Sequence, residues 1–466
     1  MPNMPVSLPE KSASLFFIGI GGVSMSALAL IAQDRGYRVG GSDRSASAVT
    51  ERLIAAGIDV HIGHDEKNVD GYDVLIYNAA IHPDNPEFSC GVRRGLRRIY
   101  RTDFLAALMG DYPNAVGIAG THGKSTASAM LSHMFLRAGR DPSVLIGAAL
   151  GEIGGSHRVG HGDDFVFEAC EYRDSFLSLR PTVSVVLNVE MDHPDYFHSI
   201  EQVRDSFARF LSIPGKNGYG VINLDSPDAV LAAERADTRI VTYSTRKEAD
   251  YTAADVTLKN GFPSFLILRR GVPLTHVTLR VAGQHNVENA LACAAAADLC
   301  GMDASAIGDG LSSFPGIARR MEQKGVFPGT EVPVFDDFGH HPTEVRRTLE
   351  GAAAMGFSRI FCVYQPHTYS RTAELFDDFT ASFGAAWETL FVDIYAARET
   401  DTRGVSSERL AAATPRARYC ADYDAVTSYL SSALREGDAV VIMGAGDISR
   451  YAETLCRKDL HHERPE

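Results

Sequence analysis

The chain has 466 residues, 45% of them hydrophobic and 22% charged, which suits a globular protein of about three domains rather than one core. Its formal net charge of −14 argues against nonspecific binding to nucleic acid, whose phosphates would be repelled. Seven scattered cysteines with no Cys-x-x-Cys pair speak against a zinc site or disulfide framework, and no stretch reads as a signal peptide or membrane span, so the expectation is a cytoplasmic chain with no membrane partner.

Apolar runs alternate with helical patterns through the first hundred residues. They predict strands at 15–20, 37–41, 59–62 and 74–78 and helices at 23–35 and 47–56. That alternation implies a parallel sheet with ligands beyond its strand C-termini. Gly19-Ile-Gly-Gly22 leaves the first strand and opens the first helix. It reads either as a diphosphate site at a helix N-terminus or as a tight structural turn. The dinucleotide fingerprint fails, because Ser24 stands where its third glycine belongs. Asp43 ends the next strand and could bond a ribose hydroxyl.

A break near Asp111-Tyr-Pro-Asn114 precedes Val116-Gly-Ile-Ala-Gly-Thr-His-Gly-Lys-Ser-Thr126, which predicts a strand, a glycine turn and a helix starting near Ser125. This is a shortened phosphate loop, with two residues rather than four between Gly120 and Gly123. The glycines let backbone N–H groups approach phosphate oxygens, Lys124 can reach the β/γ-phosphates, and the Ser125 hydroxyl is placed for Mg²⁺. Strands at 165–168 and 183–188 follow, with Glu168 and Glu171 after the first and Asp192, His193 and Asp195 after the second. Glu168 and His193 are candidates to complete a divalent-cation site. Residues 246–274 read as a polar stretch, and an alanine-rich helix at 286–299 closes the unit. Asn286 and Asn289 lie one turn apart at its start, where they could read an adenine edge, although a helix cap is the simpler role for Asn286 alone.

A second break at 312–316 leads to strands at 334–336, 360–364, 390–393 and 439–443. Asp336-Asp-Phe-Gly-His-His-Pro-Thr-Glu344 and Gln365-Pro-His-Thr-Tyr-Ser-Arg-Thr372 leave two of them. Polar, histidine-rich turns at successive strand ends suit substrate binding. Adjacent His340 and His341 should diverge rather than share a metal. Arg319 and Arg320 fall where a cleft between domains would form. The breaks divide the chain at 1–113, 114–316 and 317–466, with a frayed charged tail expected at 457–466.

In this order the motifs resemble the Mur ligases of peptidoglycan synthesis, and the two C-terminal ones resemble the alanine-adding branch. The resemblance implies an α/β protein of three domains: a Rossmann-like N-terminal domain, a central P-loop ATPase-type domain and a Rossmann-like C-terminal domain. It implies an ATP-dependent ligase that joins L-alanine to UDP-N-acetylmuramate through an acyl phosphate, as a monomer or homodimer. Gly19, Gly21, Gly22 and Asp43 would hold the UDP part. Gly120, Thr121, His122, Gly123, Lys124, Ser125 and Thr126 would hold the ATP phosphates, and Asn286 and Asn289 the adenine. Ser125, Glu168 and His193 would bind Mg²⁺. Lys124, His193, Arg319, Arg320, His340 and Arg371 would act on the reacting groups, and Asp337, His340 and Arg371 would meet the amino acid.

Three departures stand out against that family. Ser125 replaces a commoner threonine, Phe338 a frequent tyrosine, and Thr368 an arginine. Asp205-Ser-Phe-Ala-Arg-Phe210 also lacks the lysine that later-acting members carbamoylate, as the alanine-adding branch does. The rival expectations are a recycling ligase that joins L-Ala-γ-D-Glu-meso-diaminopimelate and a nonenzymatic nucleotide-binding regulator.

Overall fold

The computed structural model describes residues 7–193, 196–397, 399–400 and 404–457. Asp195 and the expected tail beyond Arg457 lie outside them. Three sheets organise the described residues.

The first sheet has five parallel strands in the order Asp59–Ile62, Arg38–Asp43, Ser14–Ile18, Val74–Tyr77 and Arg97–Tyr100. Ser14–Ile18 is an unbroken apolar run after its serine because it is buried along its whole length, as a central parallel strand must be. It ends two residues earlier than expected, since Gly19 turns the chain. Strand order reverses beside Ser14–Ile18, which opens a crevice at the strand C-termini.

The second sheet has ten strands. In order they are Val272–Thr278, Phe262–Arg269, Tyr251–Lys259, Arg239–Ser244, Tyr219–Asn223, Val183–Val186, Asn114–Ala119, Asp164–Glu168, Ser143–Leu150 and Gly155–Arg158. The strand that carries the phosphate loop lies between the two that carry Glu168 and Asp192. Three motifs far apart in sequence therefore emerge at neighbouring strand ends. The stretch at 246–274, expected to be merely polar, contains most of an antiparallel meander that extends this sheet.

Above the sheet, helix Lys124–Arg137 packs on helix His285–Leu299. The alanines at 290, 292 and 294–297 are buried and bring the backbones close enough for Cys293 Sγ to reach the Ala127 carbonyl at 3.2 Å.

The third sheet runs Glu322–Val326, Pro333–Asp337, Ala439–Met443, Ile360–Tyr364, Glu388–Phe391 and Ala417–Tyr419, antiparallel only at its first strand. Among the described residues, no helix is long and apolar enough to cross a membrane, and every cysteine but Cys170 is buried.

Candidate active site

Helix Lys124–Arg137 begins one residue earlier than expected. Its N-cap, Gly123, has φ 83°, a left-handed conformation that a side chain would resist, and a Cβ there would also meet Asn289 Oδ1 at 2.9 Å. No side chain caps the helix, so its first-turn N–H groups have no intrahelical acceptor and present a site for an anion. The N–H groups of Thr121 and His122 are not part of that set. They donate to the Asn188 backbone and side-chain oxygens at 3.1 and 2.8 Å, and Asn188 Nδ2 returns a bond to the His122 carbonyl at 3.1 Å. Asn188, unmarked by sequence reasoning, thus fixes the shape of the loop.

Lys124 Nζ donates to the Thr121 carbonyl and to Glu171, both at 3.1 Å. Burial alone would lower its pKa, but Glu171 outweighs that and keeps the ammonium firmly charged. The Ser125 hydroxyl donates to Glu168 Oε2 at 2.7 Å, so two of the three candidate cation ligands are together. Glu168 Oε2 also accepts the Gly147 N–H at 3.0 Å, and a Cβ at Gly147 would lie 2.5 Å from that oxygen. His193 faces Glu171 and Asp192 at 3.7 and 3.8 Å, with its ring 4.8 Å from Tyr172.

The C-terminal domain closes over this loop. Arg371 Nε and Nη2 donate to Asp192 Oδ1 at 3.2 and 3.0 Å, and Thr343 Oγ1 donates to Glu190 at 2.7 Å. Burial would raise the Asp192 pKa, yet Arg371 holds it far below the carboxylate range.

His122 is buried with its Nε2 3.4 Å from Glu190 and its Nδ1 3.6 Å from Glu344. Burial disfavours its charge, but the two glutamates outweigh that and raise its pKa to about 9. His341 lies 4.4 Å from His122, ring to ring, and is the opposite case: burial and His122 push it down to about 4. Its Nδ1 accepts the Thr343 N–H at 3.3 Å and caps helix Pro342–Ala353. His340 turns away toward Phe338 and His367, so the two histidines diverge as expected. Burial lowers the His340 pKa to about 3. Its Nδ1 meets the Phe338 carbonyl at 3.2 Å, so Nδ1 carries the proton and Nε2 the lone pair.

A cavity of about 580 Å³ lies between the loop and the C-terminal domain, lined by Gly123, Asn286, Asn289, Arg320 and Asp337 among others. Asn286 is not the helix cap. It sits inside the first turn with Nδ2 on the Ala282 carbonyl at 2.7 Å, and its Oδ1 accepts Asn289 Nδ2 at 3.0 Å. Arg320 reaches Glu344 at 3.4 Å. Arg319 instead folds onto its own sheet, donating to the Gly444 carbonyl at 2.6 Å. Asp337 fastens two turns, accepting the Met321 and Gly339 N–H groups at 2.9 and 2.8 Å.

The N-terminal loop is also tied inward. Gly19 and Ile20 donate to the Ser42 carbonyl, Gly22 to the Gly19 carbonyl, and Gly21 to Asp43 Oδ2 at 2.9 Å. Asp43 therefore holds the loop, and donors for a ligand begin with the first turn of helix Val23–Asp34. Arg101, which sequence reasoning missed, stands beside them with Nη1 on Ser24 Oγ at 2.9 Å. It has no ion-pair partner among the described residues, and burial lowers its pKa. A half-buried guanidinium at a helix N-terminus suits an anionic ligand.

Three family models match the chain: "Mur ligase family, catalytic domain" at residues 15–113, "Mur ligase middle domain" at 118–297, and "Mur ligase, glutamate ligase domain" at 319–446. The chain is similar to UDP-N-acetylmuramate–L-alanine ligases of Clostridium acetobutylicum (39% identity, 96% of this chain and 98% of the relative) and Caldanaerobacter subterraneus (41%, 97% and 98%). Its fold is similar to the solved UDP-N-acetylmuramate–alanine ligase of Thermotoga maritima (TM-score 0.76, 24% identity, 97% of this chain and 100% of that one). The murein peptide ligase of Psychrobacter arcticus is a further neighbour (TM-score 0.67, 24% identity, 98% and 100%).

Proposed function

The chain belongs to the Mur ligase family, and from that premise we propose that it joins L-alanine to the carboxylate of UDP-N-acetylmuramate, with cleavage of ATP, in the cytoplasmic synthesis of peptidoglycan precursors. The observation that carries this reading is the run of contacts in which Arg371 bonds Asp192, the adjacent His193 faces Glu171, and Glu171 accepts from Lys124, so that the C-terminal domain reaches the phosphate loop. The full-length relatives bear the same activity in their names.

A carboxylate is a poor acyl donor. Its oxygen attacks the γ-phosphorus of ATP and ADP leaves, giving an acyl phosphate. The alanine amine then attacks the acyl carbon, and the tetrahedral intermediate expels inorganic phosphate. Lys124 neutralises charge on the transferring phosphoryl group, and Asn286 and Asn289 meet the adenine. Ser125 and Glu168 are hard oxygen donors already in contact, which fits Mg²⁺, and His193, facing Glu171 and Asp192, would serve a second ion. When bound, Mg²⁺ supplies further charge neutralisation at the phosphates. His340 Nε2 offers a lone pair that accepts a hydrogen bond from the alanine amine and orients it, while the ammonium proton leaves to solvent before attack. Arg101 and the first turn of helix Val23–Asp34 hold the diphosphate of the UDP-sugar.

The test is phosphate release with UDP-N-acetylmuramate and each amino acid in turn. L-Alanine should be preferred and glycine and L-serine slow, because one methylene separates neighbours by only about 1–3 kcal/mol. Leucine and glutamate should be rejected by clash. Faster joining of L-Ala-γ-D-Glu-meso-diaminopimelate would make this a recycling ligase, and no release with any acceptor would leave a nucleotide-binding regulator.

A further inference from the structure

Three polar links join the C-terminal domain to the central one beside the phosphate loop: Arg371 to Asp192, Thr343 to Glu190, and Glu344 to His122. Only the last reaches a residue of the loop itself. Glu344 also accepts the His340 N–H at 3.0 Å and faces Arg320 at 3.4 Å. One carboxylate therefore touches the phosphate loop, the entry to the C-terminal domain and the turn assigned to the amino acid. His122 is clamped through both its backbone groups by Asn188, so movement of Glu344 is felt two residues before Lys124.

Resting on the ligase reading, we propose that His122 is a positioning residue that couples closure of the C-terminal domain to the phosphate loop, so that the acyl phosphate forms only under a seated amine site. His122 acts through Glu190 and Glu344. Without its ring the buried Glu344 and the half-buried Glu190 lose the cation they share, and their repulsion opens the interface. Water then competes with alanine. Its oxygen adds to the acyl carbon, the bond from that carbon to the phosphate oxygen breaks, and the free carboxylate and inorganic phosphate leave with a proton to solvent. ATP is consumed and no amide forms.

The experiment measures phosphate and amide in the same reaction, using the full chain with ATP, UDP-N-acetylmuramate and L-alanine. Wild type should release one phosphate per amide. His122→Ala and Glu344→Gln should each raise that ratio several-fold, measured well below their own melting transitions where circular dichroism shows both variants folded. The double variant should be no worse than the worse single one, because both remove one link. A ratio that stays at one while both products fall together would reduce His122 to a structural residue and overturn the proposal. So would a stoichiometric transition metal lost on His341→Ala, since His122, Glu190 and His341 lie close enough to share an ion. If wild type forms no amide with any acceptor, the ligase reading itself fails, and this inference with it.

Discussion

Arg371 and Asp192, 179 residues apart, share two guanidinium hydrogen bonds to one carboxylate oxygen, and both side chains are buried. Removing one partner of such a pair leaves the other charged and dry, typically at about 3–5 kcal/mol. Arg371→Met should therefore shift the protein toward an open arrangement. Small-angle scattering should report a larger radius of gyration, and turnover should fall even at saturating alanine. An unchanged radius with weaker alanine binding alone would return Arg371 to a purely substrate-binding role.

Lys124 Nζ is held by the Gly120 and Thr121 carbonyls and by Glu171, at the helix N-terminus where a phosphate would sit. Lys124→Ala should fold and lose roughly 10²-fold or more in turnover, as loss of a transition-state charge contact does. Near wild-type turnover at saturating ATP would remove it from the reaction.

The cation site gives a paired prediction. Glu168→Gln should raise the Mg²⁺ concentration needed for half-maximal rate, because a charged oxygen ligand is lost. Gly147→Ala should do the same without touching a ligand, since its Cβ would intrude to 2.5 Å of Glu168 Oε2. Mg²⁺ titrations that overlay wild type for both would make the Ser125–Glu168 contact structural.

The sequence foretold the strand–loop–helix frame wherever one strand was buried on both faces, as at Ser14–Ile18 and Asn114–Ala119. It failed at the meander, whose strands have an exposed face and read as polar. The missed signals were the hairpin turns Asn260-Gly261 and Arg270-Gly271, in which all four residues have positive φ as a two-residue type I′ loop requires. In the site, glycines and the lysine were legible because local geometry demands them. Asn188, Glu190, Glu344 and Arg101 were not, because their roles come from tertiary contacts between segments that no spacing rule connects.

The N-terminal loop offers a separable test. A Cβ on Gly21 would meet Asp43 Oδ2 at 2.8 Å and Thr50 Cγ2 at 3.1 Å, displacing the carboxylate that ties the loop. Gly21→Ala should weaken UDP-N-acetylmuramate binding in calorimetry and leave ATP binding unchanged. Tight NAD binding that competes with the UDP-sugar would contradict the assignment of this crevice.

The charge on His122 predicts how stability depends on pH. Its pKa is raised from the ordinary 6.5 to about 9 because Glu190 and Glu344 outweigh burial. The folded state therefore holds a proton that the unfolded chain releases near neutrality. The stabilisation is complete below about pH 6.5 and is lost as pH rises through about 9. At full strength it is on the order of 3 kcal/mol, from about 1.4 kcal/mol per pKa unit. Thermal melts should show wild type losing stability between pH 6.5 and 9 more steeply than His122→Asn, which carries no proton to lose. Two curves that run parallel across that window would mean that His122 is neutral between its glutamates.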